Sequence, residues 1–240
     1  MSGSLEKHMA KRTILVVAPD TANTKTVRTL LRRFGYPVLA AADGKQALER
    51  ASQARPALII TEMVLSDKRE HALFDLFQAN SRTAQVPLIF MVPPGDAGAA
   101  TRCLAYGAGY IMKPVHAEDL YHTVQATVEP RPRASMRIRT ELPVFVNNLP
   151  VGNAGGICEI DLSEEGMRVP TFEPAPVRSR LTVQIRLNDR TVSAEGSVVY
   201  AHTPETGRAG MGLKFINMAP QDRDAIRQYI HQEIERPLSP

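Results

Sequence analysis

From Thr13 to Val128 short apolar runs alternate with amphipathic stretches, and beyond Val128 that rhythm stops. Five strand-then-helix repeats define a parallel sheet covered by helices on both faces, because parallel strands require a crossover that a helix supplies. The apolar runs predict strands at Ile14 to Ala18, Pro37 to Ala41, Ala57 to Thr61, Pro87 to Val92 and Tyr110 to Met112. Helical spacing predicts helices over Thr24 to Arg33, Lys45 to Ala54, Glu70 to Gln78, Ala97 to Tyr106 and Ala117 to Val128; Val27, Leu30, Leu31 and Phe34 form one stripe of the first. Gly35 is placed to stop that helix. Leu15-Val16-Val17 and Leu58-Ile59-Ile60 show no polar alternation, as strands buried on both faces require.

Glu129-Pro-Arg-Pro-Arg133 follows, and its two prolines favour an extended segment. The domain boundary is expected here. After it come closely spaced strand-like runs, at Leu142 to Val146, Gly156 to Leu162, Met167 to Val169, Leu181 to Leu187, Thr191 to Ala201 and Gly210 to Ile216. Turn signals at Asn188-Asp189 and Glu205-Thr-Gly207 separate some of them, which indicates an antiparallel barrel or sandwich. The last segment, Gln221 to Ile234, returns to helical spacing, with Pro220 at its first position and Asp222 in its first turn.

With 240 residues, 43% of them hydrophobic, the chain suits two globular domains. Its apolar runs fall short of the roughly 20 residues that span a bilayer, and the first dozen residues lack a secretory core segment. Cys103 and Cys158 lie in different halves without CxxC or His/Cys clustering, which points to reduced thiols, a cytoplasmic location and no zinc site. His71, His116, His122, His202 and His231 show no metal spacing, and no phosphate loop, GxSxG elbow or HExxH motif marks a catalytic or metal site. The net charge of +4 falls within residues 1–128 while residues 129–240 are neutral overall, so a basic face for duplex DNA is not evident and DNA is not the expected partner.

Within the second half, Arg133 and Arg137 stand as RxxxR, followed by Asp161, Ser163 and Gly166 spaced as DxSxxG. RxxxR alone is common on basic surfaces, and DxSxxG alone is a frequent capped turn. Their conjunction, in order and beside a barrel-like pattern, indicates a ligand. An arginine fork bonds phosphate oxygens or the O6 and N7 of guanine, each good bidentate contact contributing about 1–3 kcal/mol. Asp161 can accept from guanine N1–H and N2–H, donors that adenine does not offer. Ser163 supplies a hydroxyl, and Gly166 allows close approach. Arg131 and Arg139 read as solvated linker charges.

Residues 12–128 resemble the receiver domain of bacterial two-component systems: Ile14-Leu-Val-Val17, Pro56-Ala-Leu-Ile-Ile-Thr-Glu62-Met63, Pro87-Leu-Ile-Phe-Met91 and Gly107-Ala-Gly-Tyr-Ile-Met-Lys113-Pro114 follow its pattern. The resemblance implies a doubly wound (βα)5 sheet, with Glu62 where the phosphoacceptor aspartate is expected. Ala18 and Pro19 replace the acidic pair that would help to hold magnesium, only Asp20 follows, and Val92 occupies the Ser/Thr switch position. Lys113 is retained, with Glu62 as its expected partner. A receiver of this kind is expected not to take phosphate, and to serve dimerisation or partner docking.

After the linker at 129–136, residues 137–236 together with the preceding arginines resemble the PilZ domain, a six-stranded barrel with a C-terminal helix. The two motifs, Leu142-Pro143-Val144, Val198-Val199-Tyr200 and Gly210-Met-Gly212-Leu-Lys-Phe215 carry the resemblance. It implies binding of the second messenger cyclic di-GMP, with Arg133, Arg137, Asp161, Ser163 and Gly166 as the ligand residues and no cofactor. The expected molecule is a noncatalytic effector; the rival expectation is a barrel that has lost the nucleotide and serves only protein contacts.

Overall fold

Five parallel strands, each followed by a helix, build the first half of the computed structural model, which describes residues 12–19, 21–65, 70–96, 98–133, 135–152, 155–188, 190–204 and 209–236. Asp20, Ala97, Asp189 and the turn at Glu205-Thr-Gly207 lie outside the described residues. The chain divides after Arg133 into two compact units.

In the first unit the elements run β1 (Ile14–Val17), α1 (Ala22–Arg33), β2 (Val38–Ala41), α2 (Gly44–Ala54), β3 (Leu58–Glu62), α3 (Glu70–Gln78), β4 (Leu88–Val92), α4 (Ala99–Ala105), β5 (Gly109–Met112) and α5 (Ala117–Val128). Strand order is β2-β1-β3-β4-β5, all parallel. This is a doubly wound sheet whose crevice opens at the carboxyl ends of its strands. Strands β1 and β4 are buried along their whole length, as their unbroken apolar runs require. The helix ends follow local chemistry: Asp43 Oδ1 accepts from Gln46 N at 2.8 Å to cap α2, and Gly35, at φ 89°, turns the chain out of α1.

Residues beyond α5 remain fastened to this unit. Buried Gln125 donates from Nε2 to Tyr36 Oη at 2.8 Å and accepts the backbone N–H of Arg133 on Oε1 at 3.3 Å. Tyr36 Oη donates in turn to Glu129 Oε1 at 3.4 Å, and Glu129 pairs with Arg12. Burial, with Glu129 adding to it, raises the Tyr36 phenol far above its ordinary range.

The second unit comprises β6 (Arg137–Val146), β7 (Leu149–Pro150), β8 (Ile157–Ser163), β9 (Gly166–Val169), β10 (Arg180–Leu187), β11 (Arg190–His202), β12 (Gly210–Met218) and α6 (Pro220–Glu235). The sheet order β10-β11-β12-β9-β8-β6-β7 closes through an additional β10–β6 pairing, in which Gln184 faces Phe145. Six antiparallel strands therefore form a barrel, with β7 outside the ring. Period-two alternation fills it: Ile138, Leu142 and Val144 point inward from β6, Cys158, Ile160 and Leu162 from β8, and Met211, Leu213 and Phe215 from β12. Helix α6 buries Ile226, Tyr229 and Ile230, and a 2.7 Å hydrogen bond joins Tyr229 Oη to Thr140 Oγ1.

Two features depart from the sequence expectation. Strand β6 begins at Arg137 rather than Leu142, because in Arg-Ile-Arg-Thr-Glu the charged residues face outward while Ile138 fills the core. The two-residue strand β7 is too short to show a periodicity, and it was not anticipated. At α6, Pro220 does open the helix, whereas Asp222 does more than meet its dipole: it accepts from Arg190 Nη2 at 2.7 Å and from Ser193 N at 3.1 Å, tying the helix to β11.

Candidate functional site

At the carboxyl end of the first sheet, Glu62 closes β3 and Lys113 follows β5. Lys113 Nζ donates to Glu62 Oε2 at 2.7 Å, with both side chains mostly buried. Val92 ends β4 with no exposed surface, Ala18 is buried after β1, and Pro19 is exposed. Among the described residues here, Lys113 is matched to Glu62. Among the described residues no group of three or more His, Cys, Asp or Glu could hold a metal ion.

The outer face of the barrel is different. Antiparallel register sets Arg139 of β6 opposite Asp161 of β8, Asp161 opposite Arg168 of β9, Arg168 opposite Gly212 of β12, and Gly212 opposite Tyr200 of β11. One row of five positions thus crosses five strands. Arg139 Nε donates to Asp161 Oδ1 at 3.1 Å and lies 3.7 Å from Glu159 Oε1. Arg168, only 6% exposed, donates from Nη2 to the Ala209 carbonyl at 3.0 Å. The Tyr200 ring lies on Gly212, where a Cβ would fall 2.2 Å from a ring carbon.

The next row holds Arg137, Ser163, Gly166 and Lys214, again in register. Glu164 and Glu165 form the tight turn between β8 and β9. Ser163 Oγ, buried, donates to the Gly166 carbonyl at 3.0 Å and closes that turn. Gly166 has a steric reason to be glycine: an added Cβ would lie 2.1 Å from the Leu213 carbonyl oxygen, so the β12 backbone fills the space. From α6, Arg227 grips Glu164 with a fork, Nε to Oε1 at 3.0 Å and Nη2 to Oε2 at 2.9 Å, while Arg223 Nη1 donates to the Glu164 carbonyl at 2.9 Å. The bonds to Glu164 raise the Arg227 guanidinium further above its ordinary value. The turn is therefore clamped from both sides.

Arg137, Asp161, Ser163 and Gly166 are brought together on this face. Arg133 belongs to the first unit, exposed, with its backbone held by Gln125. Arg131 is exposed as expected, but Arg139 is no linker charge: it sits in a strand and binds Asp161. The role of Arg139, and Arg168, Glu164 and Arg227 altogether, escaped the sequence reading. For Arg168 the signal was alternation between inward-facing Met167 and Val169, and for Arg139 the inward-facing Ile138 before it; for the Glu164–Arg227 pair, 63 residues apart, sequence held none.

Comparison with known proteins matches a family to each half of the chain. Residues 14–125 match the response regulator receiver domain, and residues 131–232 match the PilZ domain. The chain is a receiver domain followed by a PilZ domain. Relatives include a probable transcriptional regulator of Porphyridium aerugineum, 26% identical over 161 residues, covering 65% of this chain and 61% of that protein. A two-component response regulator of Oryza sativa is 28% identical over 109 residues, covering 45% of this chain and 52% of that protein. The chain thus spans less than two thirds of the length of either. Among solved structures, a putative response regulator from Chloroflexus aurantiacus aligns at 25% identity and a TM-score of 0.47, over 49% of this chain and 97% of that one. The receiver domain of a Pseudomonas aeruginosa sensor histidine kinase, solved with magnesium in its active-site cleft, aligns at 27% and 0.45, over 50% of this chain and 98% of that one.

Proposed function

We propose that this chain is a noncatalytic effector that binds cyclic di-GMP on the outer face of its barrel, and that its receiver takes no phosphate and serves partner docking or self-association. The observation that carries the reading is the registered pair of rows, which sets Arg137 in the row next to Asp161 on the outer face of a PilZ domain. Cyclic di-GMP presents two phosphates and two guanines. Arg137, and Arg133 as the motif implies, meet phosphate or guanine N7 and O6, and Asp161 accepts from the guanine N1 and N2 donors. Ser163 and Gly166 hold the turn that presents Asp161.

In the receiver, Glu62 and Lys113 already satisfy each other, which supports a site closed to phosphoryl transfer. The ligand is an intracellular messenger, in keeping with a cytoplasmic location. No helix among the described residues is long and apolar enough to cross a membrane. Calorimetry on the full chain with cyclic di-GMP tests the reading: micromolar or tighter binding supports it. No heat at high protein concentration leaves a barrel devoted to protein contacts.

A further inference from the structure

Asp161 does not stand alone before a ligand arrives. Its carboxylate is flanked in register by an arginine on each neighbouring strand, Arg139 and Arg168, and Arg139 Nε holds its Oδ1 at 3.1 Å. A carboxylate has about four lone-pair directions, so a bond at one of them leaves room for a guanine edge at the others. What that bond removes is rotation. Reading N1–H and N2–H together requires both carboxylate oxygens to lie in the plane of the base, and a free aspartate turns about its terminal torsion through a broad range.

We propose that Arg139 is a specificity-determining positioning residue: by holding Asp161 it fixes the plane in which the carboxylate reads guanine, and so sets the preference for bases that carry both donors. The inference rests on the proposed cyclic di-GMP site. Three features support it. Arg139 is anchored in a barrel strand rather than on a loop, and its side chain is 31% exposed. Glu159, 3.7 Å from the same Nε, keeps the guanidinium over this end of β8. On the other flank, Arg168 is buried and donates to the Ala209 carbonyl, so it cannot swing to replace Arg139.

The test is a set of calorimetric titrations of the full chain with cyclic di-GMP and with cyclic di-IMP, its inosine analogue, which has the same phosphates but lacks the exocyclic amines. The wild type is expected to prefer cyclic di-GMP by about tenfold, the worth of a hydrogen bond to a charged group. Arg139→Ala is expected to weaken cyclic di-GMP by about tenfold while leaving cyclic di-IMP much closer to its wild-type affinity, so that the preference collapses. Arg139→Lys, which keeps a donor near Asp161, is expected to restore part of the preference. In an Asp161→Ala background, Arg139→Ala is expected to change nothing further.

Equal losses for both ligands would overturn the proposal, since they would mark a simple phosphate contact. Unchanged or tighter cyclic di-GMP binding by Arg139→Ala would overturn it too, since Arg139 would then be idle or a competitor. If the wild type binds neither ligand, the proposed function falls first and this inference with it, an outcome distinguishable from the wild-type titration alone. Should Arg139→Ala fail to fold by circular dichroism, Arg139→Lys and the Asp161 background decide the question.

Discussion

The carboxyl edge of the receiver sheet and the outer face of the barrel hold charges in contrasting ways. At the receiver edge Lys113 and Glu62 meet at 2.7 Å, a cation matched to an anion and largely shielded from water. On the barrel, Arg137, Arg139 and Arg168 occupy positions next to Asp161 and Glu159 in register, three cations to two anions, with Arg137 and Arg139 partly exposed. A matched pair leaves little field for an incoming anion, whereas a face with an excess of guanidinium groups attracts one. The contrast teaches where a phosphorylated ligand has something to bind, although both sites descend from the same recipe of strand-end or strand-face charges.

The comparison can be broken most directly at Arg137. Arg137→Ala is expected to weaken cyclic di-GMP about a hundredfold, at the upper end of the worth of one bidentate contact, as read by calorimetry. Unchanged affinity would move the ligand off this face. Gly166→Ala is expected next: the new Cβ must displace the Leu213 carbonyl, costing about 1–3 kcal/mol of stability in denaturant melts and weakening the ligand through the turn. A smaller effect follows from Cys158, whose thiol burial raises to about 11. The unfolded thiol ionises first as pH rises, so stability present below about pH 9 is lost progressively toward pH 11, and Cys158→Ala should flatten that limb of a pH–stability profile.

On the receiver side, Tyr36→Phe removes the hydroxyl that links Gln125 and Glu129 and is expected to cost about 1 kcal/mol in melts of the full chain. The smallest expected change is none at all. After incubation with acetyl phosphate and magnesium, intact mass should show no added phosphate; an adduct on Glu62 would erase the contrast between the two sites.

Much of this was legible in the chain. The receiver strands fell within a residue of their expected ends, helped at β1 and β4 by the unbroken apolar runs that doubly buried parallel strands leave, and α3 and α5 coincided with their amphipathic spacing. In the barrel the cue is weaker, since outward positions tolerate any polar residue. Hence Arg137-Ile-Arg139-Thr was left out of the first barrel strand although Ile138 fills the core, and Arg139 was assigned to solvent although it faces Asp161. RxxxR and DxSxxG named the residues of the candidate site but not their employment. That Ser163 closes a turn, that Gly166 yields to Leu213, and that Glu164 is gripped by Arg227 are consequences of strands and a helix meeting far apart in sequence.

The short strand β7 hangs outside the closed ring, paired only with β6 through Phe145–Pro150 and Val146–Leu149. An open strand with a 70%-exposed leucine invites a neighbouring molecule to continue the sheet. Two residues offer such a neighbour almost no ladder, and Pro150 brings no N–H to it. The ring has thus been finished with a blunt hem, which guards a chain carrying a sticky, arginine-rich face against polymerising through its barrel.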